Sequence, residues 1–107
     1  MEYLKSEITS SENEDCLTVV LSGTLDHHAA KGAREHIDAQ IAETGCRRLV
    51  LDLADVDFMD SAGIGLILGR LGRMNDVGGE LVIRRAGQSI MKLITMAGID
   101  RYVKIER

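Results

Sequence analysis

Arg48-Leu-Val-Leu-Asp-Leu53 runs through Ala54-Asp-Val-Asp-Phe-Met-Asp60 into Ser61-Ala-Gly-Ile-Gly-Leu-Ile-Leu-Gly-Arg70, and the hydrophobic period changes from one end of this stretch to the other. The first piece is a short apolar run. Its successive Leu49, Val50 and Leu51 predict a parallel strand covered on both faces by helices. The last piece repeats Ile64, Ile67, Leu68 and Leu71 every three to four positions, which predicts a helix from about Ser61 to Met74 with those residues inward. The segment between them, with Asp55, Asp57 and Asp60, reads as a loop.

The alternation of strand and helix continues on both sides. Upstream, Cys16-Leu-Thr-Val-Val-Leu-Ser22 is a strand rich in β-branched residues, ended by Gly23. The polar cluster Ser10–Asp15 reads as a hairpin turn that joins it to a weakly alternating edge strand over Glu2–Thr9. Asp26 reads as the N-cap of a helix whose Ala30, Ala33, Ile37 and Ile41 share one face, and Gly45 as its C-terminal glycine. Downstream, Gly78-Gly79 breaks the second helix and Glu80–Arg84 is a strand. A third helix carries Ile90, Leu93, Ile94 and Ala97 on one side and ends at Gly98, and Tyr102–Ile105 is a last strand. The fold expected is α/β: one layered domain over residues 1–107, with a mixed, mainly parallel sheet of four to five strands, an antiparallel N-terminal edge strand and helices packed on it.

Composition narrows the function. The chain has 107 residues, 45% hydrophobic and 28% charged, with 13 Lys+Arg against 17 Asp+Glu for a net charge of −4. That is ordinary for one globular domain. An acidic chain with 3% aromatic residues and no Trp lacks both the basic footprint and the stacking platforms of a nucleic-acid binder. No apolar run approaches the roughly 18 residues of a membrane span. The segment Met1–Glu7 carries two acids and no apolar core, so no signal peptide is expected. Cys16 and Cys46 lie outside any metal or redox spacing and read as small hydrophobes in a reducing cytoplasm. Neither a membrane nor nucleic acid is an expected partner, and the localisation expected is cytoplasmic.

Functional loops of an open α/β sheet gather beyond the carboxyl ends of its parallel strands. Gly23-Thr-Leu-Asp-His-His28 and Ala54–Gly65 would be neighbours there. Ser61 reads first as the cap of its helix, since serine is a favoured cap. The helix N-terminus would also tolerate an anion on that hydroxyl. The glycines do not make a nucleotide loop: Gly63-Ile-Gly65-Leu-Ile-Leu-Gly69 is one residue longer than the dinucleotide fingerprint, no Gly-Lys-Ser/Thr triplet exists, and close helix packing explains them better. The first glycine of the hydrolase elbow is missing before Ser61. His27, His28 and His36 lack metal-ligand spacing. No catalytic residue, metal or cofactor is therefore expected. Arg70/Arg73, Arg47-Arg48 and Arg84-Arg85 read as solvated surface, and Met74, Met91 and Met96 as core filler. The outer face of the second helix, with Leu66 and several glycines, reads as a small apolar patch suited to a protein partner.

The stretch Leu53–Arg70 resembles the signature of STAS domains, the anti-sigma factor antagonists, and Leu21-Ser-Gly-Thr-Leu-Asp-His-His28 with Phe58-Met-Asp-Ser61 and Leu68-Gly-Arg70 resembles the sporulation-stage subgroup of the forespore sigma factor system. The likeness runs through Gly78-Gly-Glu-Leu-Val82 to Met96-Ala-Gly98 and implies a single STAS domain over 1–107. It also implies a partner-switching phosphoprotein of transcription regulation without catalysis of its own. The unmodified form binds an anti-sigma factor that is also a serine kinase using ATP, and so releases the sigma factor. Phosphorylation of the serine matching Ser61 switches it off, and a PP2C-type phosphatase restores it. Many relatives have Asp-Ser-Ser-Gly where this chain has Asp60-Ser61-Ala62-Gly63, so the acceptor is retained. In the implied roles, Asp60 orients the loop and Gly63 and Gly65 allow close approach of the kinase. Ile64 and Leu66 are candidates for apolar contact, with one of the two open to being core, Gly23, Thr24, Asp26 and His27 form the adjoining surface, and Arg70 is a polar rim contact. The alternative is a STAS scaffold subunit of a stress-signalling or lipid-transport complex.

Overall fold

The computed structural model describes the backbone of residues 6–13 and the whole of residues 15–107. Glu2–Lys5 of the expected edge strand and Glu14 of the expected turn lie outside the described residues. The described chain orders as β1 (Ser6–Asn13), β2 (Cys16–Leu25), α1 (His27–Thr44), β3 (Arg48–Met59), α2 (Ser61–Asp76), β4 (Glu80–Arg84), α3 (Gln88–Met96), a 3-10 turn (Ile99–Arg101) and β5 (Lys104–Glu106). The strands form one sheet in sequence order. β1 is antiparallel to β2, and β2 through β5 are parallel. This is the α/β sheet with an antiparallel N-terminal edge that the periodicity predicts.

The hairpin turn is tighter than expected. β1 stays paired until Asn13 meets Cys16, so Ser10–Asn13 are strand, and Asp15 takes the left-handed conformation (φ 68°) that so short a reversal needs. Asp26 caps α1 through a 2.9 Å bond from the Ala29 amide, and Gly45 ends it at φ 64° with its amide on the Ile41 carbonyl. Between α2 and β4 the backbone of Gly79 backs onto the Arg47 carbonyl, leaving no room for a Cβ.

Leu17, Val19 and Leu21 of β2, Leu49, Leu51 and Leu53 of β3, and Leu81 and Ile83 of β4 alternate onto one sheet face, where buried residues of all three helices join them in one core. The opposite face departs from the expectation. Val50 and Val82 are fully buried but lie outside that core, and what flanks them is charged. Arg48 pairs with Glu80 and Glu106 at 3.0 Å each, and Arg84 pairs with Glu106 at 2.9 Å. On the same side the buried Asp52 carboxylate accepts from the Ala54 amide and from two nitrogens of Arg85. Arg85 sits at φ 57°. These arginines are therefore sheet-face ion pairs and not free surface charges.

In α3, Ile90 and Ile94 are buried while Leu93 is at the border of exposure and Ala97 is exposed. Met74 is core and Met91 half-buried as filler, but Met96 is 75% exposed. Cys16 and Cys46 are free thiols, and burial pushes that of Cys46 up. No helix among the described residues is long and apolar enough to cross a membrane.

Candidate functional site

β2 and β3 run on after their neighbour stops. β4 leaves β3 at Asp52, whereas β2 stays paired with β3 until Leu25 meets Met59. The segment expected as a loop over Ala54–Met59 is thus the far half of a strand, standing beyond the sheet as a two-stranded ribbon. Two irregularities hide it in the sequence. The register slips between Val20 and Ser22 and again between Gly23 and Thr24, so β3 carries an extra residue each time. Bulges change the side-chain period, and Leu53, Val56 and Met59 come inward at a spacing of three instead of two. Gly23 does not end β2; it takes φ 83° at the second slip and the strand continues.

The ribbon delivers two helix starts to one place. The Asp60 amide donates to the Leu25 carbonyl at 3.4 Å, and Thr24 Oγ1 donates to Asp57 Oδ1 at 3.4 Å. The two segments singled out in the sequence, around Asp26 and Asp60, are therefore adjacent. Asp60 is the N-cap of α2: its Oδ1 accepts from the Ala62 amide at 2.8 Å and its carbonyl accepts from Gly63 at 3.0 Å and Ile64 at 3.3 Å. The reading of Ser61 as the cap is corrected by this geometry. Asp60 satisfies the helix end, and Ser61 is the exposed first helical residue, its hydroxyl without a hydrogen bond among the described residues.

The facing of α2 also corrects the periodicity. Gly63, Leu66, Ile67, Arg70, Leu71 and Met74 are buried, whereas Leu68 is 47% exposed. Ile64 is half-buried. Leu66 and Leu68 thus exchange the expected sides. The outer face is small and apolar as foreseen, but it is made of Ser61, Gly65, Leu68 and Gly72, at helical spacing, with Gly69 beside them.

Three site residues have roles other than those expected. A Cβ on Gly63 would run into Cγ and Sδ of Met59, so this glycine is small for the chain's own packing, whereas Gly65, Gly69 and Gly72 face open space and packing does not explain them. Arg70 is 6% exposed: its Nε pairs with Asp38 Oδ1 of α1 at 3.1 Å, and Arg73 reaches the same oxygen at 3.4 Å. Burial pulls the Arg70 guanidinium down while Asp38 opposes this. Arg70 thus ties α1 to α2 and is not a rim contact. Leu66 is buried at the α1 side of α2. His27, at the head of α1, is exposed, and Gly23, Thr24 and Asp26 are half-buried along the ribbon.

Comparison with known proteins agrees with this architecture. The chain is 35% identical over 99 residues to an anti-sigma F factor antagonist of Paenibacillus polymyxa, covering 92% of this chain and 85% of the relative. Its fold superposes on the unphosphorylated form of the anti-sigma factor antagonist SpoIIAA with a TM-score of 0.82, covering 92% of this chain and 87% of that one at 24% identity. It superposes on the phosphorylated form of the Bacillus cell fate determinant SpoIIAA with a TM-score of 0.75, covering 92% and 90% at 24% identity. The sequence pattern of the STAS domain matches residues 7–107. A parallel sheet edged by an antiparallel hairpin, an overhanging ribbon that starts α2 at Asp60-Ser61, and these likenesses together mean that the chain belongs to the STAS domain family.

Proposed function

We propose that this protein is an anti-sigma factor antagonist controlled by phosphorylation of Ser61. In the unmodified state it docks on an anti-sigma factor that is also a serine kinase and so releases the sigma factor. The single observation that carries the reading is the position of Ser61: a free hydroxyl, relieved of capping by Asp60, at the head of the exposed Gly65–Leu68–Gly72 stripe. The names of its relatives support it.

In the proposed step, Ser61 Oγ attacks the γ-phosphorus of ATP held by the kinase, ADP leaves, and the serine proton passes to the kinase. The phosphate adds about −1.5 to −2 charges. It does so next to Asp60 and near Asp57, on the surface where the partner sits. Like charge and desolvation there cost several kcal/mol. About 3 kcal/mol already weakens binding more than a hundredfold. No refolding is needed, because the residues that anchor α2 lie on its opposite face. Hydrolysis by a PP2C-type phosphatase would restore the surface, and the protein itself carries out no chemistry.

The test is titration of Ser61→Ala and Ser61→Asp against the kinase, with the phosphate mapped by mass spectrometry. Ser61→Ala should bind as tightly as the unmodified protein and Ser61→Asp at least tenfold more weakly. Equal affinity of the two, or phosphate on another residue, overturns the reading. Recovery only within a stable large assembly would favour the scaffold role instead.

A further inference from the structure

The helices α1 and α2 do not close on each other at the Ser61 end. They leave a cleft of about 460 Å³ that has Ala62, Gly65 and Leu66 on the α2 side and His27, Lys31 and Arg34 on the α1 side. The three α1 residues stand at i, i+4 and i+7 and therefore line up along one helix face. Among the described residues none of the three side chains makes a hydrogen bond or an ion pair. Further along the same seam, Arg70 and Arg73 share the single carboxylate of Asp38, and the charge of Arg34 bears on Arg70 as well. A chain with net charge −4 thus sets two cations without an ion-pair partner, Lys31 and Arg34, along one wall of an apolar-floored cleft.

The floor is also held open. Gly65 lines the cleft, and a Cβ placed on it would meet nothing within 4 Å. Glycine inside a helix is less favourable than alanine, and no packing against the described residues requires it. Gly65 belongs at the same time to the outer stripe of α2 that begins at Ser61, so a partner seated on that stripe lies directly over the cleft.

We infer that the α1–α2 cleft receives an acidic segment of the partner protein, one or two carboxylates meeting Lys31 and Arg34 while an adjoining small apolar side chain rests over Gly65 and Leu66. The inference rests on the proposed docking surface and names the chemistry of what docks there. Charge complementarity identifies the occupant: two free cations over an apolar floor favour a carboxylate-bearing chain with apolar neighbours. It also gives the phosphate on Ser61 a second effect, because a dianion at the mouth of the cleft repels the same acidic segment.

The experiment is calorimetric titration of the intact protein with the anti-sigma factor kinase of the source organism at several salt concentrations. The double variant Lys31→Glu/Arg34→Glu is set against a control of equal charge change, Lys92→Glu/Arg107→Glu, on exposed residues of α3 and beyond β5. All four positions are exposed, so both variants should keep the wild-type melting temperature. The cleft variant should bind at least tenfold more weakly and with a shallower salt dependence, and the control should stay within twofold. Cleft-variant binding within twofold of wild type, or an equal loss in the control, overturns the inference. Ser61→Asp run in parallel separates the two readings: if it weakens binding while the cleft variant does not, the cleft inference alone fails. If Ser61→Asp binds like wild type, or the unmodified protein does not bind the kinase at all, the switch fails and the inference built on it falls too.

Discussion

At the scale of single residues, the glycines of α2 divide into two kinds that look alike in the sequence. Gly63 is small because Met59 fills the space where its side chain would be, while Gly65, Gly69 and Gly72 face solvent. Their substitution should therefore have opposite signs. Gly63→Ala forces Met59 out of its buried position, and overpacking of this kind costs roughly 1–3 kcal/mol. Gly69→Ala meets no neighbour and should raise stability by up to about 1 kcal/mol, since helix propensity is all that changes. Urea unfolding of the two variants checks the difference. Equal midpoints would mean that Met59 yields freely. Ser61 follows the same logic: a serine before a helix is most simply a cap, and only the bond from Ala62 to Asp60 frees its hydroxyl for another use.

At the scale of elements, α1 and α2 are joined by apolar contact and by Asp38, which pairs with both Arg70 and Arg73. Arg70 is nearly buried, and Asp38 is the acid that balances it. Removing one partner of a buried pair leaves the other uncompensated, which typically costs 3–5 kcal/mol. Asp38→Ala leaves Arg70 beside Arg73 and Arg34 with no carboxylate, so we expect a loss of about 3 kcal/mol in urea unfolding. Arg70→Met should cost less, because the Asp38 side chain is 28% exposed and regains water. If the two losses are equal or reversed, desolvation of the guanidinium is not what the pair offsets. The exchange of Leu66 and Leu68 belongs to this scale as well. With Ile64, Leu66, Ile67, Leu68 and Leu71 all apolar, hydropathy leaves the helix free to rotate by about a quarter of a turn. The rotation is settled by Gly63 against Met59 at one end and Arg70 against Asp38 in the middle.

At the scale of the whole molecule, the sheet keeps helices on one face and an ion-pair network on the other. The short β5 is held to the edge by Glu106, whose carboxylate lies below the usual range because Arg84 hydrogen-bonds it, with the charges of Arg84, Arg48 and Lys104 adding to this. A depressed carboxylate stabilises the fold above its ordinary value near 4.5 and loses that contribution as the pH falls through the lower, folded value. Wild type should therefore exceed Glu106→Gln in thermal stability at neutral pH, and the gap should close as the solution is acidified below about pH 4. A gap that does not change with pH would show that the network acts through packing and not through charge.

Local chemistry was enough for the order of elements, the change of period from strand to helix, the Asp26 and Gly45 caps and the neighbourhood of the two loops. All but the last depend on residues close together in the chain, and the neighbourhood of the two loops follows from the rule that loops gather at the carboxyl ends of parallel strands. The overhanging ribbon, the facing of α2 and the burial of Arg70 were not legible there. A bulge exists only against a partner strand, a helix turns to suit what it packs on, and a charge is buried or solvated according to what lies across from it. Those partners, Val20–Leu25 for β3, Met59 for Gly63 and Asp38 for Arg70, come from other elements and meet their counterparts only when the chain has folded.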